Sequence, residues 1–109
     1  MSWIVRGDDV LAAAEVAVSH RLRSKGLVGR EDFEGALILR PCRQVHTVGM
    51  KFPIDVAFCD GDGTVLRTTT LAPWRISPVV RRSAFAIEAE AGAFDRWRLA
   101  RGDRVELRT

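Results

Sequence analysis

The segment from Cys42 to Asp55 holds the densest set of chemically capable residues in this chain of 109 residues. It combines a thiol at Cys42, an imidazole at His46 and a carboxylate at Asp55. Gly49 lets the backbone turn sharply or lets a ligand approach closely. The segment is predicted to be a loop that enters a strand, and loops on a rigid scaffold are where functional groups usually lie. It is therefore the candidate site.

Four interpretations of these groups remain open. In the first, Cys42 is a nucleophile, His46 is its general base and Asp55 orients the imidazole. In the second, Cys42, His46 and a further carboxylate or thiol bind a metal ion, although the second half of a zinc motif is missing. In the third, His46 and Asp55 hydrogen-bond to the backbone and hold the loop in shape. In the fourth, the same residues form a ligand site without catalysis.

Strands are the elements that must position this loop. Residues 35–39 form a short apolar run that predicts a buried strand. Apolar residues alternate with others over 52–59, which predicts a strand with one core face and Asp55 on the opposite face. Residues 60–63 read Asp-Gly-Asp-Gly, a hairpin turn leading into a strand over 64–71. A carboxylate half-buried in such a hairpin needs a hydrogen-bond or arginine partner.

The two ends of the chain carry other patterns. Apolar residues recur at helical spacing over 9–25, with acid before them and Gly26 after them, which predicts an N-terminal helix. His20 would lie in its last turn as a cap. Residues 84–91 predict a strand with Glu88 on a solvent-exposed face. A short helix over 93–99 and a final strand near 105–107 complete the order.

Composition bounds the class of protein. The hydrophobic fraction is 47% and the charged fraction 28%, which excludes a disordered tail, a collagen-like repeat and a disulfide scaffold. The length fits one domain, residues 1–109. No leader-like segment or membrane-length apolar run is present, so we expect a cytoplasmic protein with both cysteines reduced.

A basic surface with aromatic residues is the remaining functional signal. The net charge is +3, and Arg75, Arg81 and Arg82 flank Trp74 and Phe85. Basic and aromatic residues together can bind single-stranded nucleic acid. No recognition signature such as a zinc finger accompanies them, so nucleic acid is not the expected partner.

One ordered set of residues resembles a known family. It runs Pro41-Cys42-x3-His46-Thr47-x-Gly49-Met50-x-Phe52-Pro53-Ile54-Asp55-Val56-x-Phe58. Later pieces that agree are Asp62-Gly63-x-Val65, Leu71-x-Pro73, Glu88-x3-Gly92 and Arg101-Gly102-Asp103. The pattern is similar to that of domain of unknown function family 192 and covers nearly the whole chain.

The resemblance implies architecture more than activity. Members of that family are small, mainly β domains with a jelly-roll-like or barrel-like core, and no activity is established for them. Many relatives carry a signal peptide, and this chain departs from them there. One branch has other residues in place of His46 and Thr47 but keeps the equivalents of Pro53 and Asp55. The resemblance therefore implies that the family's shared property does not require His46.

These arguments predict a mainly β (α+β) domain: a small jelly-roll-like or barrel-like antiparallel β domain with an N-terminal helix and one short helix near the C-terminus. The expected function is a binding or accessory module, with a cleft between residues 42–50, Asp55 and the corner at 71–78. Its ligand would be a small molecule or peptide, with no cofactor, metal or membrane. The expected ligand-binding residues are Cys42, His46, Thr47, Gly49, Met50, Pro53, Asp55 and Pro73.

Two alternatives from other functional classes stay open. The first is a hydrolase or metal-dependent enzyme that uses Cys42, His46 and Asp55. The second is a protein that binds single-stranded nucleic acid through its arginine and tryptophan surface.

Overall fold

Seven strands form one curled sheet in the part of the chain that the structure describes, residues 1–17, 27 and 29–109. The structure is a computed structural model. One short helix follows the sixth strand. The elements are β1 (Ser2–Arg6), β2 (Asp9–Ala17), β3 (Ala36–Leu39), β4 (Ile54–Cys59), β5 (Val65–Leu71), β6 (Phe85–Glu90), α1 (Ala93–Trp97) and β7 (Glu106–Arg108).

The strands lie in the order β5-β4-β6-β3-β2-β1-β7. Neighbours are antiparallel except for the pair β2–β3, which is parallel. The predicted hairpin of β4 and β5 is confirmed. Its turn closes through Gly63 N, which donates to Asp60 O at 3.0 Å, while Asp60 Oδ1 accepts from the backbone N–H groups of Asp62 and Thr64. The mainly β class is therefore confirmed.

The two edges of the sheet, β5 and β7, approach each other at one end. Val65 N donates to Asp103 O at 2.8 Å, and Val105 N donates to Gly63 O at 2.9 Å. These bonds close part of the gap that an open sheet would leave between its edge strands. The barrel-like core expected from the sequence is present as a half-barrel.

Both faces of the central strands are buried. All six residues of β4 are buried, because one cluster of apolar side chains covers each face of the sheet. The expectation of a single core face over 52–59 is therefore wrong. The first core cluster includes Ile38, Ala57, Cys59, Ile87 and Phe94. The second core cluster includes Leu37, Leu39, Met50, Val56 and Phe58.

The predicted N-terminal helix is wrong over Asp9–Ala17, where the chain forms β2. Alanine is the best helix former, yet Ala12, Ala14 and Val16 point to the first core cluster with a period of two, as in a strand. Pairing with β1 on one side and β3 on the other decides between the two patterns. The rest of the predicted helix, residues 18–25 with its His20 cap, lies outside the described residues.

The predicted C-terminal helix is confirmed in shorter form as α1. It begins after Gly92, which has φ +93°, and the rings of Phe94 and Trp97 lie 5.5 Å apart beneath it. Within residues 1–17, 27 and 29–109, no helix has the length and hydropathy of a membrane span.

Gly63 tests the closure of the half-barrel. Its φ is +87°, and a Cβ at this position would collide with the carbonyl oxygen of Val105. We expect Gly63→Ala to lower the free energy of unfolding by about 2 kcal/mol more than Gly102→Ala, since overpacking adds to the backbone strain. Gly102 is the matched control because its φ is +93° and its surroundings are open. Urea unfolding measures both, and equal losses would contradict the closure.

Candidate functional site

Two loops, residues 41–50 and 72–80, lie side by side and form a surface that we call the loop face. Ser77 N donates to Val45 O at 2.9 Å, and Val80 N donates to Arg43 O at 2.8 Å. The candidate loop of the sequence analysis is therefore bonded to the segment that follows β5.

Thr47 ties the two loops together. Its side chain is fully buried; its Oγ1 donates to Ala72 O at 2.6 Å and accepts from Arg75 N at 2.8 Å. Its backbone N donates to Arg75 O at 2.8 Å, and its backbone O accepts from Trp74 N at 2.9 Å. Four hydrogen bonds at one residue fix the spacing of the two loops, so Thr47 has a structural role in the loop face.

Large apolar side chains crowd the exposed side of the loop face. Ile76 is 66% exposed and Trp74 is 64% exposed, and Val48 and Val79 are also exposed. Exposed apolar residues are ordinary when scattered, but these four lie on two loops that are hydrogen-bonded to each other. Between the loops lies an open groove of about 380 Å³, lined by Gln44, Val45, His46, Val48 and Ile76.

The backbone at Trp74 is in the left-handed region, with φ +63°. That conformation is rare for a bulky residue and costs on the order of 1–3 kcal/mol. The hydrogen bonds to Thr47 on either side hold it in place. Strain retained in this way concentrates at functional sites, and here it presents the indole ring to solvent.

The loop face is also positively charged. Its two loops contain Arg43 and Arg75 but neither Asp nor Glu, although the chain has 14 acidic residues. The neighbouring residues as far as Pro53 and Ser83 contain no acid either. An approaching anionic group would therefore meet no repulsion from these segments.

Asp55 lies on the other face of the sheet, away from the loop face. Its Oδ1 accepts from Thr70 Oγ1 at 2.7 Å, and its Oδ2 accepts from Gly92 N at 3.0 Å and Phe94 N at 3.1 Å. The carboxylate thus caps the N-terminus of α1, a place where negative charge is favourable. This contact matches the backbone-bonded interpretation, although it fixes α1 rather than the loop.

Cys42 and His46 lie on the loop face, and Asp55 does not join them. Nδ1 of His46 accepts from Val48 N at 3.2 Å, and the Cys42 thiol donates to Gln44 O at 3.3 Å. With both oxygens of Asp55 bonded to β5 and α1, that carboxylate does not orient the imidazole. The arrangement that a Cys–His–Asp hydrolase requires is not formed at these three residues.

The other predicted site residues fall into two groups. Gly49, with φ +85°, and Pro73 belong to the loop face. Met50 is buried in the second core cluster, and Pro53 lies at the start of β4, where its carbonyl oxygen accepts from Ala91 N at 3.3 Å. Met50 and Pro53 therefore contribute to the scaffold.

Metal ligands do not converge in the described residues. Over 1–17, 27 and 29–109, no three side chains among His, Cys, Asp and Glu lie close enough to hold an ion. Cys59 is buried, and burial raises the pKa of its thiol to about 12, with Asp60 adding to the shift. The neutral thiol is neither a ready ligand nor a nucleophile.

Glu88 is the residue that sequence reasoning placed wrongly. The alternation in β6 predicted a solvent-exposed carboxylate, but Glu88 is 2% exposed. It pairs across the sheet with Val56 and Leu37, on the face of the second core cluster, and its Oε1 has no hydrogen-bond partner. Burial raises the pKa of Glu88 to about 7. The one sequence feature that could have indicated the burial of Glu88 was the apolar character of the neighbouring strands, β3 and β4.

The described residues form a small half-barrel that carries an apolar, positively charged loop face. The chain belongs to domain of unknown function family 192, described as an uncharacterised ACR, whose pattern matches residues 3–107. It is 37% identical over 62 residues to a UPF0127 protein of Pyrococcus abyssi. That match covers 57% of this chain and 53% of the relative, so the chain spans about half the length of the curated relative it matches.

Two solved structures share the fold. One is a protein of unknown function from Novosphingobium aromaticivorans, with a TM-score of 0.82 and 20% identity over 96% of this chain and 82% of that one. The other is a putative transcription regulator from Sinorhizobium meliloti, with a TM-score of 0.80 and 21% identity over 97% of this chain and 93% of that one. At this identity the likeness shows the fold alone.

Replacing Asp55 tests its structural role. Asp55→Ala leaves the N–H groups of Gly92 and Phe94 without their acceptor, so we expect a loss of about 2–4 kcal/mol in the free energy of unfolding. Thr70→Val removes one of the three bonds and should cost about 1 kcal/mol. Urea unfolding measures both variants. A loss below about 0.5 kcal/mol for Asp55→Ala would show that the carboxylate is not structural.

Glu88 gives a pH dependence of stability. Its folded pKa of about 7 lies above the ordinary value of 4.5. Between these values the folded state keeps a proton that the unfolded state has lost, so stability falls as pH rises from about 4.5 to about 7. The fall amounts to about 3 kcal/mol. Glu88→Gln stays neutral, so its stability relative to the parent chain should rise by that amount across the same window.

The measurement is chemical unfolding at several pH values from 4.5 to 8. Leu37→Ala is the control, because it damages the same cluster without changing a titratable group. It should lower stability equally at every pH. A constant difference between Glu88→Gln and the parent chain would contradict the burial of a neutral Glu88.

Proposed function

We propose that this chain is a binding module whose loop face holds an acidic segment of a partner polypeptide, anchored by one large apolar side chain. The observation that carries the proposal is the concentration of exposed Val48, Trp74 and Ile76 on two loops that contain no acid. The groove of about 380 Å³ between the loops is large enough to hold one large apolar side chain of that segment.

Charge complementarity supports an acidic partner. Arg43 and Arg75 belong to the two loops that border the groove, and these loops offer no carboxylate to compete for them. Arginine and tryptophan are the residues that most often dominate binding energy at protein interfaces. Binding of this kind needs neither a deprotonated thiol at Cys42 nor a carboxylate beside the imidazole of His46. We propose a cytoplasmic location with the thiols of Cys42 and Cys59 reduced.

A polypeptide fits the loop face better than single-stranded nucleic acid. Unspecific single-strand binding needs several aromatic side chains on which successive bases stack. On the loop face Trp74 is the single aromatic residue, and its neighbours Val48, Ile76 and Val79 are aliphatic. These aliphatic side chains can pack against an apolar side chain of a polypeptide, but they give nucleic-acid bases no ring on which to stack.

A peptide-display selection tests the proposal. Random twelve-residue peptides are selected on the parent chain and counter-selected on Ile76→Asp. We expect enriched peptides that combine a large apolar residue with Asp or Glu. Trp74→Ala should weaken the best synthetic peptide by at least about tenfold, the effect of a typical interface anchor.

Trp3→Ala is the matched control, because Trp3 is 39% exposed on β1 and lies outside the loop face. It should leave peptide binding unchanged. Enriched peptides without acid, or equal losses in Trp74→Ala and Trp3→Ala, would contradict the proposal. Displacement of the peptide by a short oligothymidine at lower concentration would favour nucleic acid instead.

A further inference from the structure

A second groove, separate from the one between the loops, is lined by four arginines. They are Arg67 on β5, Arg81 and Arg82 before β6, and Arg101 after α1. The groove has a volume of about 690 Å³, and no Asp or Glu belongs to its lining. Three distant parts of the sequence thus bring four guanidinium groups to one concave surface.

Some arginines of the described residues pair with carboxylates, whereas these four do not. Four arginines elsewhere in the described residues form ion pairs: Arg6 with Asp103, Arg30 with Glu15, Arg96 with Glu90, and Arg108 with Glu106. Over the same residues, none of the four groove arginines forms an ion pair. Like charges gathered without a counter-charge repel each other, and an anionic ligand would relieve that repulsion.

We propose that this groove binds a small molecule that carries two or more phosphate groups. Guanidinium groups bind phosphate in pairs of hydrogen bonds, and four of them match the charge of a di- or triphosphate better than that of one carboxylate. The volume lies in the range of small-molecule sites, about 300–1,000 Å³. The floor adds Val79, Val80 and Leu66, which suit an apolar portion of the ligand.

The groove shares Val79 and Val80 with the loop face, but its arginines are different ones. Arg43 and Arg75 belong to the loop face and not to the lining of this groove. Substitutions can therefore separate the two binding events, and either one can fail without the other.

Inorganic tripolyphosphate is the probe, with binding measured by calorimetry. We expect Arg67→Gln and Arg101→Gln each to weaken binding by about tenfold, since each removes charge-assisted hydrogen bonds. Arg101→Lys keeps the charge but loses the paired donors, so it should fall between Arg101→Gln and the parent chain. All of these side chains are exposed, and thermal unfolding checks that the variants remain folded.

Arg75→Gln is the matched control, because it removes the same charge from the loop face. It should leave tripolyphosphate binding within about twofold of the parent chain, since Arg75 does not line the groove and salt weakens interactions between exposed charges that are not in contact. An equal loss in Arg75→Gln and Arg101→Gln would overturn the proposal, because binding would then follow net charge alone. The absence of measurable tripolyphosphate binding would also overturn it.

Two further probes define the ligand class. Orthophosphate should bind at least about tenfold more weakly than tripolyphosphate, since it leaves some arginines without a partner. Equal affinity for orthophosphate and tripolyphosphate would overturn the proposal that the ligand carries two or more phosphate groups. A short oligothymidine that binds more tightly than tripolyphosphate, with the same dependence on Arg67 and Arg101, would assign the groove to a nucleic-acid backbone and overturn the small ligand.

Discussion

Burial of both faces of β4 and β6 is the constraint on which the rest of the structure depends. A strand covered on both sides leaves no solvent for a polar side chain, so each one must find partners or stay neutral. Asp55 finds three hydrogen-bond donors for its side-chain oxygens and holds α1 against the first core cluster. Glu88 faces the second core cluster without a partner for Oε1, and burial raises its pKa. Burial between two core clusters is thus met by hydrogen bonding at Asp55 and by a raised pKa at Glu88.

The binding surface that we propose lies on the loops, outside the covered faces of the central strands. With the sheet faces filled by apolar side chains, the described residues leave their open grooves at the ends and edges of strands. The loop face is fixed there by Thr47 rather than by a strand ladder. A buried hydroxyl with matched donors and acceptors gives the loops a defined spacing, which an exposed apolar surface needs if it is to bind selectively.

Local patterns predicted the local structure well. The hairpin of β4 and β5 follows from alternation and from a turn of four residues, and all of its determinants lie within 20 residues. The nature of β2 could not be predicted in this way, because its alanine-rich run satisfies both the helical and the strand period. Its pairing with β3, across the intervening residues 18–35, decides the matter, and such pairing is invisible to a local pattern.

The candidate site was predicted in part for a related reason. Residues 42–50 do form one side of the loop face, but Asp55, only five residues further on, belongs to another part of the molecule. Its partners, Gly92 and Phe94, are 37 and 39 residues away in sequence. Residues that are close in sequence can therefore lie on opposite faces of the sheet, as residues 42–50 and Asp55 do.

The charge pattern of the two loops was more informative. Residues 41–53 and 72–83 contain no acid, which is visible in the sequence, and these two segments meet in the structure. Segments that avoid one sign of charge and pack together create a surface of the other sign, and such a surface favours a partner of opposite charge.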